Sequence, residues 1–168
     1  TGLVRQRTAT PPFVGKTSAN ASTRFALPSA TGKAVVVGDV NGDAIDDAVL
    51  LLPAVSGLAP IAFKVALFFG KPGGLPAQLS AANADVTFQG ELPIGNSAFG
   101  PAAARVGDVN GDGVDDLFVG DPFADSGKGR AYLVLGKRTG WSSSANLSAA
   151  DWRLSVVGAT GFGGSVAG

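Results

Sequence analysis

The chain has 168 residues, 45% hydrophobic and 15% charged, with 13 basic and 13 acidic side chains that cancel. Such a composition can bury a real core and argues against disorder as the default, and the neutral balance excludes a whole-molecule field that would gather nucleic acid or an anionic membrane. With no Cys, His or Met, there is no disulfide framework, no thiol chemistry, and neither the commonest general base nor the commonest zinc ligand; Thr1 does not open a nascent chain, so a processed product or a fragment is expected.

Taken in chain order, residues 1–28 are predicted to be an N-terminal extended segment, made mildly basic by Arg5, Arg7, Lys16 and Arg24. Its stretch from Thr10 to Gly15 is suited to lend a strand to a neighbour. Asn20-Ala-Ser fits the N-glycosylation acceptor pattern. The Gly-Lys-Thr at 15–17 lacks the earlier glycine of a phosphate-binding loop, because position 10 is Thr. Residues 29–96 form a first unit, with strands predicted near 33–38, 47–53, 62–70 and 85–90. Residues 97–160 form a second, with strands near 101–107, 116–121, 130–136 and 153–158. Each run is short, rich in Val, Leu, Phe and Ala, and closed by Gly or Pro, of which the chain has 25 and 10. The runs at 48–55 and 61–69 are too short to span a bilayer as helices. Near-continuous apolarity implies sheets covered on both faces.

The two units are one unit written twice. SAFGPAAARVGDVNGDGVDDLFVGDP (97–122) echoes SATGKAVVVGDVNGDAIDDAVLLLP (29–53), AYLVLGK (131–137) echoes VALFFGK (65–71), and LSAADWRLSVVG (147–158) echoes LSAANADVTFQG (79–90), at offsets of 69, 66 and 68 residues. GFGGSVAG (161–168) repeats the opening again and is predicted to be the first strand of a third, incomplete unit.

Phe-Gly at 99–100, GDVNGDGVDDLFVGDP at 107–122 and GKGRAYLVLG at 127–136 keep an order that resembles the FG-GAP repeat of integrin α-subunit β-propellers and related secreted proteins. The resemblance covers about 29–158. It implies an all-β fold of β-propeller-type blades: two full four-stranded blades plus the first strand of a third, completed by another chain or by further sequence. In that family the Asp-rich loop joins the first two strands of a blade and holds calcium. The first unit departs from the pattern, with Thr31-Gly32 in place of Phe-Gly and Leu-Leu-Pro at 51–53 in place of Gly-Asp-Pro.

Eight of the 13 acidic residues fall in DVNGDAIDD (39–47) and DVNGDGVDD (108–116). Like charges packed so closely repel unless a cation is shared among them. Calcium takes six to eight oxygens, and the spacing supplies Asp39, Asn41, Asp43 and Asp47 with the Ile45 carbonyl, and Asp108, Asn110, Asp112 and Asp116 with the Val114 carbonyl. Two calcium sites are therefore expected. Gly111 and Gly113 permit the left-handed turn; Ala44 stands where the second glycine would be. Asp115 is expected to face solvent or cap a neighbour. The loops are not EF-hands, whose twelfth position is Glu; here it is Leu50 or Val119, and the flanks read as strands.

Asn146-Leu-Ser is a second glycosylation acceptor pattern. Tyr132, Trp141 and Trp152 suit inter-blade packing, or alternatively a sugar-stacking surface. Asp121 and Asp125 read as loop caps rather than a catalytic pair. The function expected is a non-enzymatic, calcium-stabilised module, secreted or at the cell surface, for adhesion, recognition or self-assembly into a ring or filament. Its expected partners are other copies of itself or missing blades of a longer chain, and a protein or glycan ligand, without nucleic acid or membrane insertion. Alternatives are a carbohydrate-binding lectin and a non-catalytic fragment of a larger secreted polysaccharide-active enzyme.

Overall fold

A computed structural model describes residues 24–25, 33–52, 63–76, 78–91, 101–158 and 160–167. The first unit supplies β2 (Lys33–Gly38), β3 (Asp47–Leu52), β4 (Lys64–Phe68) and β6 (Val86–Gln89), antiparallel neighbours in that order. The second supplies β7 (Ala102–Gly107), β8 (Asp116–Asp121), β9 (Arg130–Val134) and β11 (Trp152–Leu154), ordered alike. The chain is all-β among these residues apart from two single 3-10 turns, Ala81–Asn83 and Leu147–Ala149, and the stretch Ala124–Gly127, a tight turn in which Asp125 and Ser126 have positive φ. No described helix is long and apolar enough to cross a membrane.

Alternation explains the packing. Side chains of successive strand residues point to opposite faces, so the registers Val49↔Leu67↔Val86 and Leu51↔Val65↔Phe88 form two apolar rows on one face of the first sheet. That face packs on Leu117, Val119, Tyr132 and Val134 of the second sheet, with Val37, Val40 and Leu147 in the same core. The intervening residues Leu50, Leu52, Ala66 and Phe68 gather with Leu79 on the other face. Every residue of β3 is therefore buried, as expected for a sheet covered on both sides.

Two further pairings, both parallel, reach outside the four-stranded sets. β10 (Ser144–Asn146) leaves the second unit and pairs in parallel with β6, making the first sheet five-stranded. One repeat earlier, β5 (Gln78–Leu79) pairs in parallel with β1 (Arg24–Phe25). By the 68-residue offset Gln78 corresponds to Asn146, so Arg24 sits opposite β5 as Gln89 sits opposite β10. The strand expected at Thr10 to Gly15 lies outside the described residues.

Two expectations at the C-terminal side are corrected in detail. The strand placed at 153–158 is Trp152–Leu154 only. It is the outermost strand of its sheet, and its pairing with β9 stops at Leu154↔Ala131, leaving Val156 and Val157 exposed. Nor is 161–167 a strand: Phe162 makes a single parallel bridge to Gly129, held by Gly161 N–H to the Gly127 carbonyl and Phe162 N–H to the Lys128 carbonyl, each 2.9 Å. Main chain lies against main chain here. A Cβ on Gly120 would stand 2.0 Å from the Gly163 carbonyl oxygen, so the segment seats only on glycine.

Candidate functional site

Both acidic loops begin at a bulge. The β2–β3 register slips between Val36 and Gly38, and the β7–β8 register slips at the equivalent place between Arg105 and Gly107. Gly38 and Gly107, with φ of 87° and 71°, take the left-handed conformation that redirects the chain into Asp39 and Asp108.

Within each loop, carboxylates collect main-chain amides. Asp39 Oδ1 accepts Asp43 N–H at 2.9 Å and its Oδ2 accepts Ala44 N–H at 2.7 Å. Asp108 accepts Gly111 and Asp112 N–H on Oδ1 and Gly113 N–H on Oδ2. Asn41 and Asn110 accept the amides of Asp43 and Asp112 and donate to the carboxylates of the same residues. Asp43 and Asp112 then accept Ile45 and Val114 N–H. Nine residues are thus wound around their own side chains, alike in both copies except that Asp108 also takes the Gly111 amide. Ala44 takes φ 69°, the left-handed turn anticipated for it.

The last aspartate of each loop closes the hairpin from inside. Asp47 is fully buried; its Oδ2 accepts Val40 N–H at 2.9 Å and its Oδ1 accepts Gly70 N–H at 2.7 Å. Asp116, also fully buried, accepts Val109 and Gly136 N–H in the same way. A Cβ at Gly136 would lie 2.1 Å from the Asp115 carbonyl oxygen, and one at Gly70 2.5 Å from that of Asp46. Close approach therefore explains the glycine of both Gly-Lys pairs. Burial, helped by the charges of Asp43 and Asp39, pushes Asp47 up to about 6 against the opposing pull of its two amides. On the exposed tip the Gly113 amide, with those of Asp112 and Gly111, holds Asp108 below the ordinary carboxylate range.

The loops are also tied to each other. Asp115 N–H donates to the Asp39 carbonyl at 3.0 Å, and Asp115 Oδ2 accepts Asp39 N–H at 3.1 Å. Of the two roles expected for Asp115, it caps the neighbour. Arg105 holds the same carboxylate at 2.7 Å. Arg138 lies across both tips, its Nη1 donating to the Gly42 carbonyl at 2.8 Å and its Nη2 to the Gly113 carbonyl at 3.3 Å. The repeat pattern did not signal these arginines: the first-unit counterparts of Arg105 and Arg138 are Val36 and Pro72.

In kind, the donors suit a hard cation: three carboxylates, an amide oxygen and a main-chain carbonyl in each loop. A carboxylate has about four lone-pair sites, and the amides described leave each of these carboxylates with capacity to spare. Among the described residues no three acidic side chains stand close enough together to form a ready-made cage.

A second polar cluster sits between the end of the first unit, just after β6, and the second sheet. Glu91 Oε1 accepts from Arg130 Nη1 and, at 3.0 Å, from the buried Tyr132 hydroxyl; burial first, then Glu91, raises the Tyr132 pKa. Asp121 Oδ1 caps the turn by accepting Phe123 and Ala124 N–H, whereas its Oδ2 is buried without a hydrogen-bond partner. Burial raises Asp121 to about 6. Asp125 pairs instead with Lys128 and Arg130, so the two aspartates act as caps and ion-pair partners.

The three aromatic residues considered for sugar stacking are not brought together. Tyr132 is buried between the sheets; Trp141 packs on Phe69 and Phe88 under Lys137 and donates to the Lys137 carbonyl; Trp152 is exposed on β11. Asn146 is exposed in β10 and accepts Ser148 N–H. Asn20 lies outside the described residues.

Residues 99–134 match the model of the FG-GAP repeat family. The chain is 34% identical over 113 residues to integrin alpha-PS5 of Drosophila melanogaster, a match covering 65% of this chain and 10% of that protein. It is 40% identical over 67 residues to integrin alpha-PS3 of the same fly, covering 39% and 6%. It is 34% identical over 129 residues to phosphatidylinositol-glycan-specific phospholipase D of Bos taurus, covering 73% and 14%. The chain thus corresponds to a small part of each of these relatives.

Two outcomes follow from the geometry. Ala44→Gly relieves a left-handed alanine and is expected to raise stability by about 1 kcal/mol in urea unfolding; a loss would mean that the Ala44 conformation carries no strain. Asp121 binds its proton more tightly folded than unfolded, so its contribution to stability is complete below its ordinary pKa of 3.8 and is lost as pH rises through about 6. Asp121→Asn should therefore stabilise the chain at pH 7.5 and flatten the decline between pH 4 and 7, apart from the share that Asp47 contributes in the same window. An unaltered pH profile in chelator would show that Asp121 titrates normally.

Proposed function

Because the chain carries FG-GAP repeats of the kind found in integrin α-subunits, we propose that it is a calcium-stabilised, non-enzymatic module that works outside the cell or at its surface in adhesion or recognition. The observation that supports this best is the pair of acidic loops, wound alike around their own carboxylates and set side by side at one end of both sheets. In the first loop Asp39, Asn41, Asp43, the Ile45 carbonyl and Asp47 would hold the ion; in the second, Asp108, Asn110, Asp112, the Val114 carbonyl and Asp116 would do so. Calcium would supply the positive charge that sets the clustered aspartates at rest. It is preferred to magnesium, which keeps its waters and accepts few protein ligands.

Loops of this charge hold calcium usefully where it is millimolar, which is the physical argument for an extracellular setting. The sheets serve as a rigid frame and the loops at their ends as the presenting surface. Partners of this module are further repeats, in the same chain or another copy, and a protein or glycan ligand. Exposed Trp152, Leu154, Val156 and Val157 at the outer side of the second sheet favour packing against a further unit. One relative is named a phospholipase, but the shared region is 14% of it, and the acids here are engaged in loop closure and capping.

Thermal melting with 1 mM calcium against excess chelator tests the reading. If each loop binds with a dissociation constant near 0.1 mM, each adds roughly 1.4 kcal/mol, and the midpoint should rise by several degrees. An unchanged midpoint contradicts the calcium assignment. Sedimentation of the calcium-loaded sample should show species larger than one chain; a lone monomer at high concentration removes the assembly part.

A further inference from the structure

The start of the first acidic loop is hydrogen-bonded to the end of the second. Asp39, the first donor of the first loop, has its N–H bonded to the Asp115 carboxylate and its carbonyl bonded to the Asp115 N–H. Asp115 lies between Val114 and Asp116, two donors of the second loop. Asp39 is therefore joined by two hydrogen bonds to the residue that links Val114 to Asp116. Arg105 fixes the Asp115 carboxylate in that position, and Arg138 grips the Gly42 and Gly113 carbonyls, one from the central turn of each loop. Lys137 N–H adds a 3.0 Å bond to the Val40 carbonyl.

We propose that the two loops take up calcium cooperatively, the occupied loop ordering the other through the two Asp39–Asp115 hydrogen bonds and the Arg138 strap. The proposal rests on the calcium reading of the loops and concerns their mutual regulation. Neither arginine is a donor to the ion; both are positioning residues. Repulsion between the two dications opposes the effect, but at exposed tips it is screened by salt, whereas hydrogen-bonded main chain is not. The first-unit counterpart of Arg138 is Pro72, so the strap belongs to this junction and is not part of every repeat.

Calorimetric titration of the whole chain with calcium, followed by amide exchange across 41–45, tests it. Asp112→Ala empties the second loop and Asp43→Ala the first. We expect Asp112→Ala to weaken calcium binding at the first loop by about fivefold or more, and Asp43→Ala to weaken the second by the same factor, since coupling free energy is reciprocal. Arg138→Ala should bring that factor towards one while leaving the first loop unchanged in the Asp112→Ala chain. A merely structural Arg138 would lower both affinities together and keep the ratio. Two ions bound with the same first-loop affinity whether or not the second loop is filled would sink the coupling and leave the calcium reading standing. No heat of binding at millimolar calcium would instead overturn the calcium reading, and the coupling with it.

Discussion

A carboxylate buried at the base of each acidic loop holds the rest of the structure in place. Asp47 reaches back to the Val40 amide and across to the Gly70 amide, and Asp116 does the same to Val109 and Gly136. Each therefore joins three points of its unit: the loop, the start of its second strand and the end of its third. Burying a charge costs several kcal/mol unless it is compensated, and two amide donors per carboxylate are the compensation visible here. The raised pKa of Asp47 shows that it is incomplete. The same side chain that pins the fold also belongs to the proposed donor set, so folding and ion uptake draw on one group.

From that base the packing follows. With hairpins closed at fixed registers, alternate residues of β3, β4 and β6 face the second sheet, and those between them face away. Val40 is fully buried because the second unit covers it, while its counterpart Val109 is exposed. Trp141 and Leu147, on either side of the segment that forms β10, extend the core between the sheets along the β6 edge. A repeat pair of this kind buries its apolar surface mainly between units, so each unit's stability depends on its neighbour.

Most of the strand pattern could be read in advance. The strands at 33–38 and 116–121 fall where apolar runs bounded by glycine and aspartate placed them, and the left-handed Ala44 followed from its alignment with Gly113. Less legible was everything that depends on contacts between units. Arg105 and Arg138 carry no mark in a one-dimensional pattern, because their partners lie 10 residues or more away on another loop and neither repeats in the first unit. The Glu91–Arg130–Tyr132 cluster leaves no repeat signature, because Glu91 follows the last strand of the first unit and its 68-residue counterpart is Ala159. Strand 153–158 was read too long, since a valine pair looks like strand whether or not a neighbour exists to pair with it.

The β1–β5 pairing has a consequence for polarity. Arg24–Phe25 occupies, beside the first unit, the place that an outer strand occupies between units, so that flank is already engaged by its own chain. On the opposite flank Trp152–Leu154 is, among the described residues, unpaired along its outer side, with indole and aliphatic surface beside it. The pair of sheets thus has a head and a tail. The two ends therefore differ in kind: an added strand would find free main chain beside β11 and main chain already paired beside β5.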